Sequence, residues 1–255
     1  MKIRNILSSN GFSVVEITVG LFISSILLTT AYKANQYFTK STMHETVTSS
    51  FQKDIITVSD FLTKDIRMSG LNLPGNGIRV TLNNNANDQL EMYTNDSGHE
   101  TSLAVIPGYC DSKIRVLDGA GMVGNQWICL NIPSDTVYRQ IMRVGMNVNG
   151  ADTIYLYQNL DLNLSASTRI YPAKRVRYSV TAPRGLERSM NGVSVSLGKS
   201  VEILEIIPKS LTGNVLGNMG KQAAVLHVYI GSRLKSGNGH TIISDSVEVN
   251  LRNRG

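Results

Sequence analysis

GFSVVEITVGLFISSILLTTAY, residues 11–32, is the stretch on which the reading of the whole chain turns. Positions 12–32 are mostly apolar and would extend about 31 Å as a helix at roughly 1.5 Å per residue. That matches the roughly 30 Å hydrocarbon core of a bilayer. No charge occurs in residues 17–32, whereas the chain after Lys33 is mixed and polar. Lys2 and Arg4 precede the apolar run, so the start is expected on the cytoplasmic side and the bulk of the chain across the membrane. Taken this far, the pattern fits an ordinary signal peptide or signal anchor.

Two features depart from that pattern. Glu16 places a carboxylate inside the apolar run, where a charge costs a few kcal/mol on insertion scales. An export signal gains nothing from such a residue, and an acid embedded in lipid needs a partner. The small polar break Ser8-Ser9-Asn10-Gly11 lies before the run, whereas a signal peptidase site lies after it; Thr29-Thr30-Ala31 offers only a weak alternative there.

Gly11-Phe12-Ser13-Val14-Val15-Glu16 closely resembles the processing site of type IV prepilins. The resemblance implies cleavage after Gly11 by a membrane prepilin peptidase, with Phe12 as the N-methylated mature N-terminus. It also implies that Glu16, the fifth mature residue, neutralises the terminal amine of a neighbouring subunit. A buried carboxylate and a buried ammonium are each costly alone and tolerable as a pair. Ser13, Val14 and Thr18 stand where Thr, Leu and Met are commoner in that family.

Beyond Lys33 the helical pattern continues. Val47, Phe51, Ile55, Val58, Leu62 and Ile66 form one apolar stripe at helical spacing. The first proline is Pro74, and Gly70 with Pro74-Gly75-Asn76-Gly77 supplies a stop. The expectation is one helix over 12–68, or two helices broken near 39–48. Leu62-x-x-Asp65-Ile66-Arg67-x-x-Gly70 looks like the string that ends the long helix of PilW-type minor pilins. Asp65 and Arg67 are two apart and do not face each other on a helix; Arg67 suits the last turn electrostatically.

After residue 78 the texture changes to short strand-like runs between turns. They are expected at 78–82, 89–93, 102–106, 113–117, 127–132, 139–144, 153–156, 175–181, 201–207, 223–230 and 246–251. One helix ahead of many strands gives an α+β fold, a long helix packed on an antiparallel sheet as in type IV pilins. The anticipated divisions are a leader (1–11), a transmembrane and assembly segment (12–32), an amphipathic helix half (33–70) and a periplasmic head (71–255). Val176-Arg177-Tyr178-Ser179-Val180, Gly185-Leu186-Glu187-Arg188, Val201–Ile206 and the closing Leu251-Arg252-Asn253-Arg254 look like PilW-type strings in the family order. The last also resembles one type II secretion pseudopilin group. The stretch from about 78 to 170 carries no such resemblance.

Cys110 and Cys129 are the only cysteines and would close a loop of about twenty residues. In a translocated domain they are expected to form a disulfide, worth about 3 kcal/mol in the loop-entropy picture; two free thiols is the alternative. No metal site is expected, since two Cys without nearby His fall short of a zinc set. The run Asn83-Asn84-Asn85-Ala86-Asn87-Asp88 and Asn95-Asp96-Ser97-Gly98 offer oxygen ligands for calcium, but such residues also favour turns.

No nucleophile elbow or phosphate loop occurs, and His44, His99, His227 and His240 form no metal-type pair. Neither a catalytic residue nor a cofactor is expected. The formal charge of +6, or +4 without the leader, comes from scattered Lys and Arg that never form a run of four, so no specific nucleic acid is expected. The resemblance therefore implies a minor pilin that helps initiate or cap a type IV pilus. Its partners would be prepilin peptidase, other major and minor pilins, the inner membrane and the assembly platform. A type II secretion pseudopilin is the alternative within the class, and a pilus-tip adhesin lies outside it.

Overall fold

The computed structural model describes residues 13–75, 77–83, 87–133, 135–145, 150–210, 214–216, 225–236 and 239–251. The chain divides into two units, residues 1–50 and 51–255.

Helix α1 runs without a break over Val14–Met68, so of the two expected forms the single helix is the one adopted. It starts at a reciprocal cap. Ser13 Oγ accepts the Val15 N–H at 3.3 Å, and Glu16 Oε2 accepts the Ser13 N–H at 3.0 Å. It ends as the chain turns left-handed at Gly70 and Asn72. The Gly70 N–H then donates to the Tyr93 carbonyl at 2.8 Å. Gly77 approaches so closely here that a Cβ on it would collide with Gly70 N and the Tyr93 carbonyl oxygen.

The strands of the second unit are β1 (Ile78–Thr81), β2 (Gln89–Thr94), β3 (Thr101–Val105), β4 (Lys113–Val116), β5 (Trp127–Asn131), β6 (Thr136–Gly145), β7 (Asp152–Leu156), β8 (Arg169–Thr181), β9 (Gly185–Met190), β10 (Val193–Gly198), β11 (Ile203–Lys209), β12 (Val225–Ser236) and β13 (Gly239–Asn250). All the described pairings are antiparallel. Strand β8 serves two layers. Its C-terminal half joins β2 and β9 in the open order β1-β2-β8-β9-β10. Its N-terminal half pairs with both β3 and β5, which closes the ring β8-β3-β4-β7-β6-β5 into a small barrel. Strands β11-β12-β13 form a separate sheet.

Three apolar clusters follow from strand alternation. In the first, the α1 stripe Phe51, Ile55, Val58, Leu62 and Ile66 packs with residues of the open sheet (Leu90, Met92, Val176, Tyr178) and of the three-stranded sheet (Leu204, Ile206, Leu226, Val228). Val47, expected to begin the stripe, is exposed; burial begins at Phe51. In the second, Leu103, Ile114, Val116, Ile128, Leu130, Ile141, Ile154, Leu156 and Ile170 fill the barrel. The third, smaller cluster gathers Leu73, Tyr93, Cys129, Tyr138 and Ala173 on the other side of β5.

Candidate functional site

Two sets of side chains on α1 carry features that folding of the chain does not require of an ordinary helix. The first is at its start. Gly11 and Phe12 lie outside the described residues, and Glu16 is the nearest described part of the processing motif. One oxygen of Glu16 closes the helix cap; the other makes no bond among the described residues. Around and beyond it Val14, Val15, Ile17, Leu21, Phe22, Leu27 and Leu28 are all exposed. The helix contains an 18-residue window long and apolar enough to cross a membrane, and none of that window is buried in protein. The capping role of Glu16 is legible in the sequence as Ser-x-x-Glu, Ser13 to Glu16, at the head of an apolar run.

The second set lies near the helix end. Asp65 accepts the Tyr178 hydroxyl at 2.7 Å and a two-point grip from Arg188, Nε to Oδ2 at 2.6 Å and Nη2 to Oδ1 at 3.1 Å. Arg188 also sits over the Phe61 ring, 5.7 Å from its centroid. Asp65 comes from the Leu-x-x-Asp-Ile-Arg string and Arg188 from the Gly-Leu-Glu-Arg string, so the fold joins two strings 123 residues apart. Burial, with Asp65 beside it, pushes the Tyr178 phenol well above its ordinary value. The hydrogen bonds that Arg188 donates to Asp65 hold the guanidinium still more firmly charged. The junction ties the last turns of the helix to β8 and β9. Arg67, by contrast, is exposed in the last turn.

The expected Cys110–Cys129 disulfide is corrected by the structure, in which both thiols are free. Cys110 is exposed in the loop between β3 and β4, with a left-handed backbone and its N–H bonded to the Leu160 carbonyl. Cys129 is fully buried in β5, on the face where Tyr93 and Tyr138 stack with ring centroids 3.7 Å apart. Burial pushes the Cys129 thiol up to about 12, so it is a packed side chain and not a reactive thiolate.

Of the Asn/Asp run, Asn84, Asn85 and Ala86 lie outside the described residues, while Asn87 and Asp88 clasp the chain before β2 to β11. Asp88 accepts the N–H of Asn83 at 2.9 Å and of Ile206 at 2.8 Å. Asn87 accepts from Leu204 N–H and donates to the Glu202 carbonyl, each at 2.9 Å. These oxygens are spent on backbone amides, two on β11 and one at Asn83 within the run itself. Among the described residues no group of three or more His, Cys, Asp or Glu is placed to hold a metal ion. His227 Nε2 lies 2.8 Å from Glu248 Oε2 and 3.1 Å from Lys209 Nζ, a row of polar groups across β11, β12 and β13. The row contains no Ser, Cys or Thr nucleophile for the imidazole to activate.

No protein-family model, curated protein or solved structure matches the chain.

Proposed function

We propose that this chain is a prepilin-like subunit of the PilW-type minor pilin class, a structural and assembly protein and not an enzyme. It is cut after Gly11, methylated at Phe12, anchored in the inner membrane by the first half of α1, and carries its head in the periplasm before entering a pilus or pseudopilus. The supporting observation is Glu16: a carboxylate with one oxygen free among the described residues, in the first turn of a helix whose apolar side chains over 14–32 are all exposed. An acid in that setting is tolerable in lipid when a cation reaches it, and the amine of a neighbouring Phe12 is such a cation. Residues 51–255 make a head too bulky to repeat along a thin shaft, which favours a place at the tip or in the initiating complex. A type II secretion pseudopilin would share all of this anatomy.

The test separates charge from capping at Glu16. Glu16→Gln can still close the cap but cannot pair with an amine; Glu16→Val does neither. Both variants are expected to insert and be processed, and both to fall in filament incorporation measured by immunoblot of sheared filaments. Full incorporation of Glu16→Gln alongside loss in Glu16→Val would reduce Glu16 to a helix cap and contradict the pairing role.

A further inference from the structure

The barrel's outer wall gathers cations that are far apart in sequence. Lys113 on β4 lies directly opposite Tyr155 on β7, and Tyr155 directly opposite Arg143 on β6. One step along, Arg115 faces Thr153, and Thr153 faces Gly145. Opposed residues in antiparallel strands share a face, and here the other face carries Ile114, Val116, Ile154 and Leu156 into the barrel core. Lys113, Arg115 and Arg143 are therefore neighbours on one exposed surface.

None of the three cations makes an ion pair among the described residues. The one acid within β3, β4, β6 and β7 is Asp152. Alternation turns it away from this face, and its Oδ2 accepts the Gly119 N–H at 2.8 Å. Asp111, two residues before Lys113, is occupied by the Gly108 N–H, also at 2.8 Å. From β3, Val105 is the residue opposite Arg115. The surface thus presents three cations held in no ion pair among the described residues.

It also presents a stacking group. The Arg143 guanidinium carbon sits 4.1 Å from the Tyr155 ring centroid. A side chain on Gly145 would meet that ring, since a Cβ there would lie 3.4 Å from Tyr155 Cε2. The ring rests across the bare glycine and holds the guanidinium over it, leaving a planar cation on the solvent side. With strands about 4.8 Å apart and residues about 3.4 Å apart along each, Lys113 and Arg115 lie about 7 Å apart and Arg143 two strands away. That suits a flexible anionic chain crossing the strands.

We infer that this wall binds single-stranded nucleic acid, its phosphates on Lys113 and Arg115 and a base against the Arg143 guanidinium supported by Tyr155. Arg planes and flat sheet surfaces are suited to splayed bases. A duplex is not favoured, because among the described residues the strands of this wall project no helix or ribbon into a groove. An acidic polypeptide would use the charge and leave the stacking plane idle. The inference does not rest on processing at Gly11.

The test is fluorescence anisotropy of a labelled fifteen-residue oligothymidine with the full chain in neutral detergent, titrated at several salt concentrations. Two phosphate contacts predict a log–log salt slope of about −1.4. Lys113→Ala with Arg115→Ala and Arg143→Ala is expected to weaken binding at least tenfold, and Arg143→Lys, which keeps the charge, about fivefold. The control Lys64→Ala with Arg67→Ala should leave affinity unchanged, and circular dichroism should show every variant folded. Absence of binding at 100 µM protein overturns the proposal, as does unchanged affinity in the triple variant. Polyglutamate competing as well as the unlabelled oligonucleotide, or Arg143→Lys binding like wild type, shows that the wall reads charge alone and equally overturns it.

Discussion

The two parts of α1 follow opposite rules. Over 51–68 one residue in three or four is apolar and buried, with Val58 and Leu62 fully enclosed while Ile56 and Phe61, which flank the stripe, remain exposed. Over 14–32 the apolar residues cover every side and all are exposed. A stripe is what a helix needs when a sheet of its own chain covers one face. An all-round apolar surface is what it needs when its surroundings, lipid or neighbouring helices, come from outside the chain. The contrast locates the stability of the head in one part of the helix and the demand for an external partner in the other.

The contrast can be broken by truncating equivalent side chains. Leu62→Ala is expected to cost about 3–4 kcal/mol of head stability through the cavity it leaves, whereas Leu28→Ala should leave thermal unfolding of the head unchanged. Equal effects in calorimetry would erase the distinction. Next in size is the junction at the helix end. Arg188→Leu leaves the Asp65 carboxylate without its cation and should cost about 2–3 kcal/mol, somewhat below the full penalty of a deeply buried pair because both groups retain some solvent contact. The same denaturation experiment checks it, and a loss below about 0.5 kcal/mol would mean that the helix end is held by the apolar stripe alone.

Alkaline pH tests the buried phenols. Tyr93, Tyr138 and Tyr178 have folded values raised, chiefly by burial. Their stabilising contribution is complete below the ordinary phenol value near pH 10, and falls as pH rises through that value toward the folded ones, because the unfolded chain releases these protons first. Urea unfolding of the head should therefore weaken from about pH 10 upward, with Tyr178→Phe reducing the slope. The smallest effect is expected at the exposed thiol: Cys110→Ser should move stability by less than about 0.5 kcal/mol, with or without reductant. A loss of several kcal/mol seen only without reductant would restore the disulfide.

Local pattern made the helix, its stop at Gly70 and most strand positions legible, because period and turn residues are written over a few neighbours. What escaped depends on distant partners. Strand β9 is hidden by Glu187, Arg188 and Ser189, whereas β10 does carry strand alternation in Val193-Ser194-Val195-Ser196-Leu197 and is absent from the expected strands all the same. The first half of β8 is masked by Pro172, tolerated opposite Ile128 although proline disfavours strand interiors. Closure of the barrel rests on the pairing of β5 with β8, which no short window encodes. The Asp65–Arg188 grip was half visible: both family-like strings stood out, yet nothing in either says that they meet. The stacked wall of Lys113, Arg115 and Arg143 was invisible for the same reason, since the search for basic runs looks along the chain while a sheet gathers charge across it.

The central claim is that the apolar half of α1 begins at a processed end. Mass spectrometry of the N-terminus, from cells with and without prepilin peptidase, tests it most directly. The account predicts a chain starting at N-methylated Phe12 when the peptidase is present and at residue 1 when it is absent. A start at residue 1 in both, or a start near Tyr32, would contradict it.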